Sequence, residues 1–121
     1  MNGLDWVFSI VLAVVFFLTG VNKAFRYEKA AKMFTWVKDV PRILVQAAGI
    51  VEILGAFGLI LPAATGILPW LTPMAAVALM LLMFMAATFH AQRRERGETA
   101  TNLFLLIILA FVAYLRWPLM P

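Results

Sequence analysis

Four side chains able to donate, accept or exchange protons stand in or at the edges of otherwise apolar segments: Lys23, Glu52, His90 and Asn102. Glu52 is the most demanding. It lies in the middle of AAGIVEILGAFGLIL, residues 47–61, where no other side chain is charged. An isolated carboxylate in hydrocarbon is costly, so it must find a cation or stay protonated. Three and four residues away on the same helical face are Ala48, Gly49, Gly55 and Ala56, all small. The opposite face carries Ile50, Leu54, Phe57 and Leu61, which suit lipid. Glu52 should therefore point into a helical bundle, where small neighbours allow either close helix approach or a cavity.

The elements that must carry these residues are membrane-spanning helices. Hydrophobic residues make up 64% of the 121 residues and charged ones 13%, with a mean hydropathy of +0.96. A soluble domain of this size would leave much of that surface in water. The chain reads as one transmembrane domain, residues 1–121, with spans expected at 4–25, 42–61, 72–90 and 101–117, each near the length a ~30 Å hydrocarbon layer requires. Pro62 is expected to close the second span, Pro69 and Pro73 to bracket the turn into the third, and Trp117–Pro118 to anchor and stop the fourth. The first apolar run has no Lys or Arg before it and no A-x-A site after it, and reads as a retained span. The expected fold is all-α, an integral membrane four-helix bundle.

Nine of the ten Lys and Arg residues fall in or beside the loops joining spans one to two and three to four. That asymmetry sets topology and gives no reason to expect nucleic-acid binding. It puts those loops in the cytoplasm and both termini outside, in the plasma membrane. Arg116, the tenth, is expected to snorkel toward headgroups at the outer end of the fourth span. Within RYEKAAKMFTWVKDVP, residues Ala30, Met33, Phe34 and Val37 recur at helical spacing, which predicts a short amphipathic helix on the cytoplasmic leaflet with Trp36 at the interface.

Measured from span midpoints, Lys23 and His90 each lie about nine residues toward the cytoplasm, roughly 13 Å. Asn102 is at a comparable depth, or else serves as a cap of the fourth helix after Thr99 and Thr101. A polar pocket opening to the cytoplasm, with Glu52 at its inner end, is the expected arrangement. A direct Lys23–Glu52 bond would require the first helix to tilt or shift; on the depth estimate alone a gap remains, for water or Asn22 to bridge. With no cysteine and one histidine, the chain offers no zinc, bis-histidine haem or thiol redox site. The methionines read as packing residues.

The chain resembles the DoxX-like family of small four-helix membrane proteins. The resemblance is carried by FFLTGVNKAF closing the first span, GIVEILGAFGLILP in the second, PMAAVALMLLMFMAATFHAQRRE in the third and NLFLLIILAFVAYLR in the fourth. It implies the same polar positions: Lys23, Glu52, His90 and Asn102. Some members are labelled oxidoreductases, the family name coming from a subunit of a thiosulfate:quinone oxidoreductase, whereas others resemble assembly factors for membrane proteins.

Three functions follow as expectations. In the first, the pocket binds a quinone- or isoprenoid-like molecule. Lys23 or His90 donates to a carbonyl, Glu52 exchanges a proton, Asn22 and Asn102 assist, and Gly49, Gly55 and Ala86 leave room for the apolar body. A redox partner subunit or further copies of the chain would complete the assembly. In the second, Glu52 and His90 act alone as catalytic acid and base on a lipid-like substrate. In the third, Gly/Ala helix faces make the chain a scaffold for a membrane partner. No metal is expected, and quinone is the one cofactor suggested.

Overall fold

The computed structural model describes residues 3–121, all of whose regular structure is helical. Five α-helices follow in order: α1 (Leu4–Phe25), α2 (Tyr27–Met33), α3 (Arg42–Thr65), α4 (Leu71–Gln92) and α5 (Arg96–Arg116). Four of them, all but α2, are long and apolar enough to cross a membrane. A helix satisfies its own backbone polar groups, which hydrocarbon demands. Side chains on the lipid side obey the same constraint: the Thr65 and Thr88 hydroxyls donate back to the carbonyls of Leu61 and Phe84.

The span boundaries differ from expectation at two places. The second span does not stop at Pro62 but continues a turn further, to Thr65, and ends on Gly66 in the left-handed region at φ 73°. Pro62 lacks an N–H and its ring crowds the carbonyl four residues earlier, which here belongs to Gly58. The next N–H, that of Ala63, donates to the buried Thr72 hydroxyl of α4 at 3.1 Å, so the neighbouring helix supports the irregular turn. The fourth span begins at Arg96 rather than at residue 101. Asn102 is therefore inside α5, not its cap.

The loop between the first two spans is only partly the helix that periodicity suggests. α2 covers Tyr27–Met33, after which Phe34 is extended and Val37–Asp39 form a 3₁₀ turn. Ala30 and Val37 are buried against Val45 at the start of α3. This segment thus folds back onto the end of the bundle.

α1 and α3 approach closely where Gly20 faces Gly49. A Cβ on Gly49 would stand 2.7 Å from the Gly20 carbonyl oxygen and 2.7 Å from the Ala24 nitrogen. Gly55 meets Leu79 of α4 in the same way, with 2.7 Å to its side chain. These glycines spend their missing side chains on helix contact. Away from these contacts Ile50, Leu54, Phe57 and Leu61 face outward, between 46% and 65% exposed, as a lipid-facing stripe should.

The main core fills the half of the bundle distant from the basic loops. It contains Leu12 and Phe16 of α1, Leu59 of α3, Leu79 of α4 and Leu109 and Val112 of α5. At that end Phe8 and Phe111 meet edge to face at 5.5 Å, closing α1 onto α5. Arg116 does not snorkel. It is 1% exposed, pairs with the buried Asp5 carboxylate at 3.2 Å and lies 4.3 Å over the Trp6 ring. A guanidinium tolerates burial better than an ammonium because it stacks on an aromatic face while pairing with an acid. The cost is visible in Arg116 Nε, Arg116 Nη2 and Ser9 Oγ, which are buried without a hydrogen-bond partner among the described residues.

Removing one member of this pair should be worse than removing both. Asp5→Leu should cost about 3–5 kcal/mol, and the Asp5→Leu/Arg116→Leu double variant should regain most of it. Thermal unfolding in detergent checks this; equal losses in the two variants would contradict a coupled buried pair.

Candidate functional site

Glu52 is 2% exposed and faces α1, where two side chains satisfy it. The Thr19 hydroxyl donates to Oε1 at 2.8 Å, and the Lys23 ammonium donates to Oε2 at 3.0 Å. No bridging group is needed, contrary to the depth estimate. The reason is the Gly20–Gly49 contact, which sets the register of α1 against α3. The built Cβ of Gly49 is 2.8 Å from Lys23 Cβ, so Lys23 starts level with Gly49. Glu52 is three residues further along, about 4.5 Å of helix rise, which an extended lysine spans.

This ion pair lies at the wall of a cavity of about 750 Å³. Phe16, Thr19 and Lys23 of α1, Val45, Ala48 and Glu52 of α3, Met83, Ala86 and His90 of α4, and Asn102 and Leu105 of α5 contribute to its lining. Its volume is that of a small-molecule site. The bundle is thus core-packed at the Asp5–Arg116 end and hollow toward the basic loops. Residues 34–41 cover the hollow half, with Phe34, Trp36, Asp39, Val40 and Pro41 all on the lining.

Trp36 is the centre of that cover. Its ring meets His90 edge-on at 5.3 Å and Phe89 at 6.2 Å, and the Lys23 ammonium lies 5.4 Å from its centroid. A tryptophan at this level thus serves the cavity's mouth.

A second polar cluster joins the cover to the α4–α5 turn. His90 Nδ1 and Glu95 Oε1 are 2.8 Å apart, and Arg93 Nε donates to the same oxygen at 3.0 Å. Arg93 Nη2 donates to Asp39 Oδ2 at 2.6 Å, tying residues separated by 54 positions. The hydrogen bonds from His90 and then Arg93 hold the Glu95 carboxyl below its ordinary value of 4.5, while Asp39 and Glu95 raise Arg93 above its own. The turn itself is tight, with Arg94 at φ 60°.

Of the residues singled out in the sequence, Lys23, Glu52, Ala86, His90 and Asn102 lie on one cavity. Gly49, Gly55 and Asn22 do not: the two glycines are filled by neighbouring helices rather than leaving room for a ligand. Sequence reading places Thr19 on the face of Lys23 and counts Arg93 toward topology, but assigns no site role to Thr19, Asp39, Arg93 or Glu95. Thr19 was legible as the residue one turn before Lys23. The other three sit in turns, where charge reads as topology.

The family model of the DoxX-like family matches residues 7–112. The chain belongs to the DoxX-like family. The match covers α3 and α4 entirely, most of α1 and α5, and every polar residue of the cavity, leaving Asp5 and Arg116 outside it. With its long apolar helices, this DoxX-like protein is a multi-pass membrane protein whose lipid-facing surface contacts the bilayer. Among curated proteins and among solved structures, none matches.

Glu95 supplies a pH dependence with a defined sign. A carboxyl held below its ordinary value stabilises the folded turn above that value and loses the effect as pH falls through its lowered one. Hydrogen-exchange protection in residues 34–41, measured against the intrinsic exchange rate at each pH, should stay high down to about pH 4.5 and fall below it. In Glu95→Gln this acid-triggered loss of protection should largely vanish, protection being lower throughout. A Glu95→Gln profile identical to the parent would remove Glu95 from the tether.

Proposed function

We propose that this protein binds a ring-headed, lipophilic small molecule of the quinone or isoprenoid type in the cavity beside Glu52, as the membrane subunit of an oxidoreductase assembly. The observation that carries the reading is the combination of a cavity of about 750 Å³ with largely apolar walls and a buried Lys23–Glu52 pair at its side. Apolar walls take a tail and ring body; a few convergent polar groups orient the head. Lys23 keeps donor hydrogens beyond the one given to Glu52, and an ammonium cannot accept, so it is suited to a ligand oxygen. Asn102 offers both a donor and an acceptor from α5. Glu52, already hydrogen-bonded by Thr19 and Lys23, is placed to exchange a proton with that head group.

The basic residues around the cavity's mouth support a cytoplasmic position for that end, with both termini outside in the plasma membrane. On that orientation α2, with Lys29 and Lys32 exposed, lies near the cytoplasmic leaflet. With no cysteine in the chain, thiol redox chemistry falls to a partner subunit. A scaffold role built on small-residue helix faces is less well supported, because Gly20, Gly49 and Gly55 are already occupied by helices of the same chain.

The test is ligand retention. Mass spectrometry of gently purified protein should find a lipophilic molecule near one per chain. Ala86→Phe, which fills the cavity from α4, should lose that molecule while keeping the parent's thermal stability to within about 1–3 kcal/mol. Protein that is consistently empty, or an Ala86→Phe variant that retains the ligand in full, would overturn the reading.

A further inference from the structure

The hydrogen bonds around His90 fix more than its position. Glu95 Oε1 sits 2.8 Å from His90 Nδ1 and 3.0 Å from Arg93 Nε. An ionised carboxylate can only accept, so the proton between His90 and Glu95 belongs to Nδ1. A flip of the ring would break this bond, and the flanking rings of Trp36 at 5.3 Å and Phe89 at 5.1 Å confine it. His90 is buried, lines the cavity, and its Nε2 has no hydrogen-bond partner among the described residues. In the neutral ring Nε2 carries a lone pair and no hydrogen. With the ring in that neutral form, the cavity presents a donor at Lys23 and an acceptor at His90.

We infer that Glu95 is the positioning residue that makes His90 a hydrogen-bond acceptor, and that the cavity's ligand presents a hydroxyl to Nε2: a phenol- or hydroquinone-type ring rather than a ring whose oxygens are all carbonyls. The inference rests on the ligand-binding reading above and reverses one expectation drawn from the sequence, in which His90 donates to a carbonyl. A carbonyl aimed at Nε2 would set two lone pairs against each other. A hydroxyl there donates, while a second ring oxygen remains free to accept from Lys23. The charged groups facing the imidazole include Glu95 in contact, Arg93 beyond it, Asp39 beyond Arg93, and Lys23 across Trp36, with Glu52 and Glu98 on the walls of the same cavity.

The chain contains a single histidine, so ¹⁵N-histidine labelling, with a purification tag free of histidine, reports this ring alone. In mildly alkaline buffer the ring should give a protonated Nδ1 signal and an unprotonated Nε2 signal. Glu95→Gln, with its helical circular dichroism unchanged, should shift the ring toward the Nε2–H form. A parent ring already in the Nε2–H form, or doubly protonated, overturns the inference. The ligand arm compares a short-tailed hydroquinone, its dimethyl ether and the corresponding quinone by calorimetric titration in detergent. The hydroquinone should bind about tenfold more tightly than either of the others, and His90→Phe should abolish that advantage. Equal affinities overturn the hydroxyl assignment alone. Failure of all three to bind overturns the ligand reading itself, and the tautomer result then decides the role of Glu95 separately.

Discussion

A carboxylate held inside a hydrocarbon layer requires a partner at contact distance, and the Lys23–Glu52 pair sets much of what surrounds it. The 3.0 Å bond exists only if α1 and α3 come together closely enough, and Gly20 and Gly49 are what let them. Side chains at either glycine would push the backbones apart and leave both charges facing an apolar interior. The same contact sets the register that brings Thr19 to the second carboxylate oxygen. One constraint thus links two glycines, a threonine and an ion pair. None of these residues is independent of the others.

The bundle is polarised along its axis. At one end Asp5 and Arg116 pair without lining the cavity, among aromatic rings and beside a packed core, and their role is to fasten the first helix to the last. At the other the helices leave a cavity whose wall carries Lys23 and Glu52, and the segment from Phe34 to Pro41 covers it. That cover is held by contacts of different kinds: Trp36 against His90 and Lys23, and Asp39 against Arg93. The Arg93 guanidinium is shared between the cover and Glu95, so the tether and the imidazole belong to one hydrogen-bonded chain.

The sequence made the spans legible because apolar length is a local property, and α1 begins and ends where composition says it should. Glu52 could be placed inside the bundle because its flanking residues are small on one face and bulky on the other. Its bond to Lys23 could not, since depth measured from span midpoints ignores the register that Gly20 and Gly49 impose. Gly49 and Gly55 read equally well as room for a ligand; only the α1 backbone against the first and Leu79 against the second distinguish the two. Arg116 was misplaced because a cation near a span end has an inexpensive local solution in snorkelling, whereas its partner Asp5 is 111 residues away. Asp39, Arg93 and Glu95 escaped notice for the same reason: their meeting is a product of how two loops fold over one end of the bundle.

Infrared spectroscopy of the protein in bilayers tests the central claim most directly, that Glu52 is ionised and paired within the membrane. The parent spectrum should show no protonated-carboxyl stretch assignable to Glu52, and Glu52→Gln should remove carboxylate intensity only. A protonated-acid carbonyl band that is present in the parent and lost in Glu52→Gln would contradict the ion pair and the polar cavity built on it.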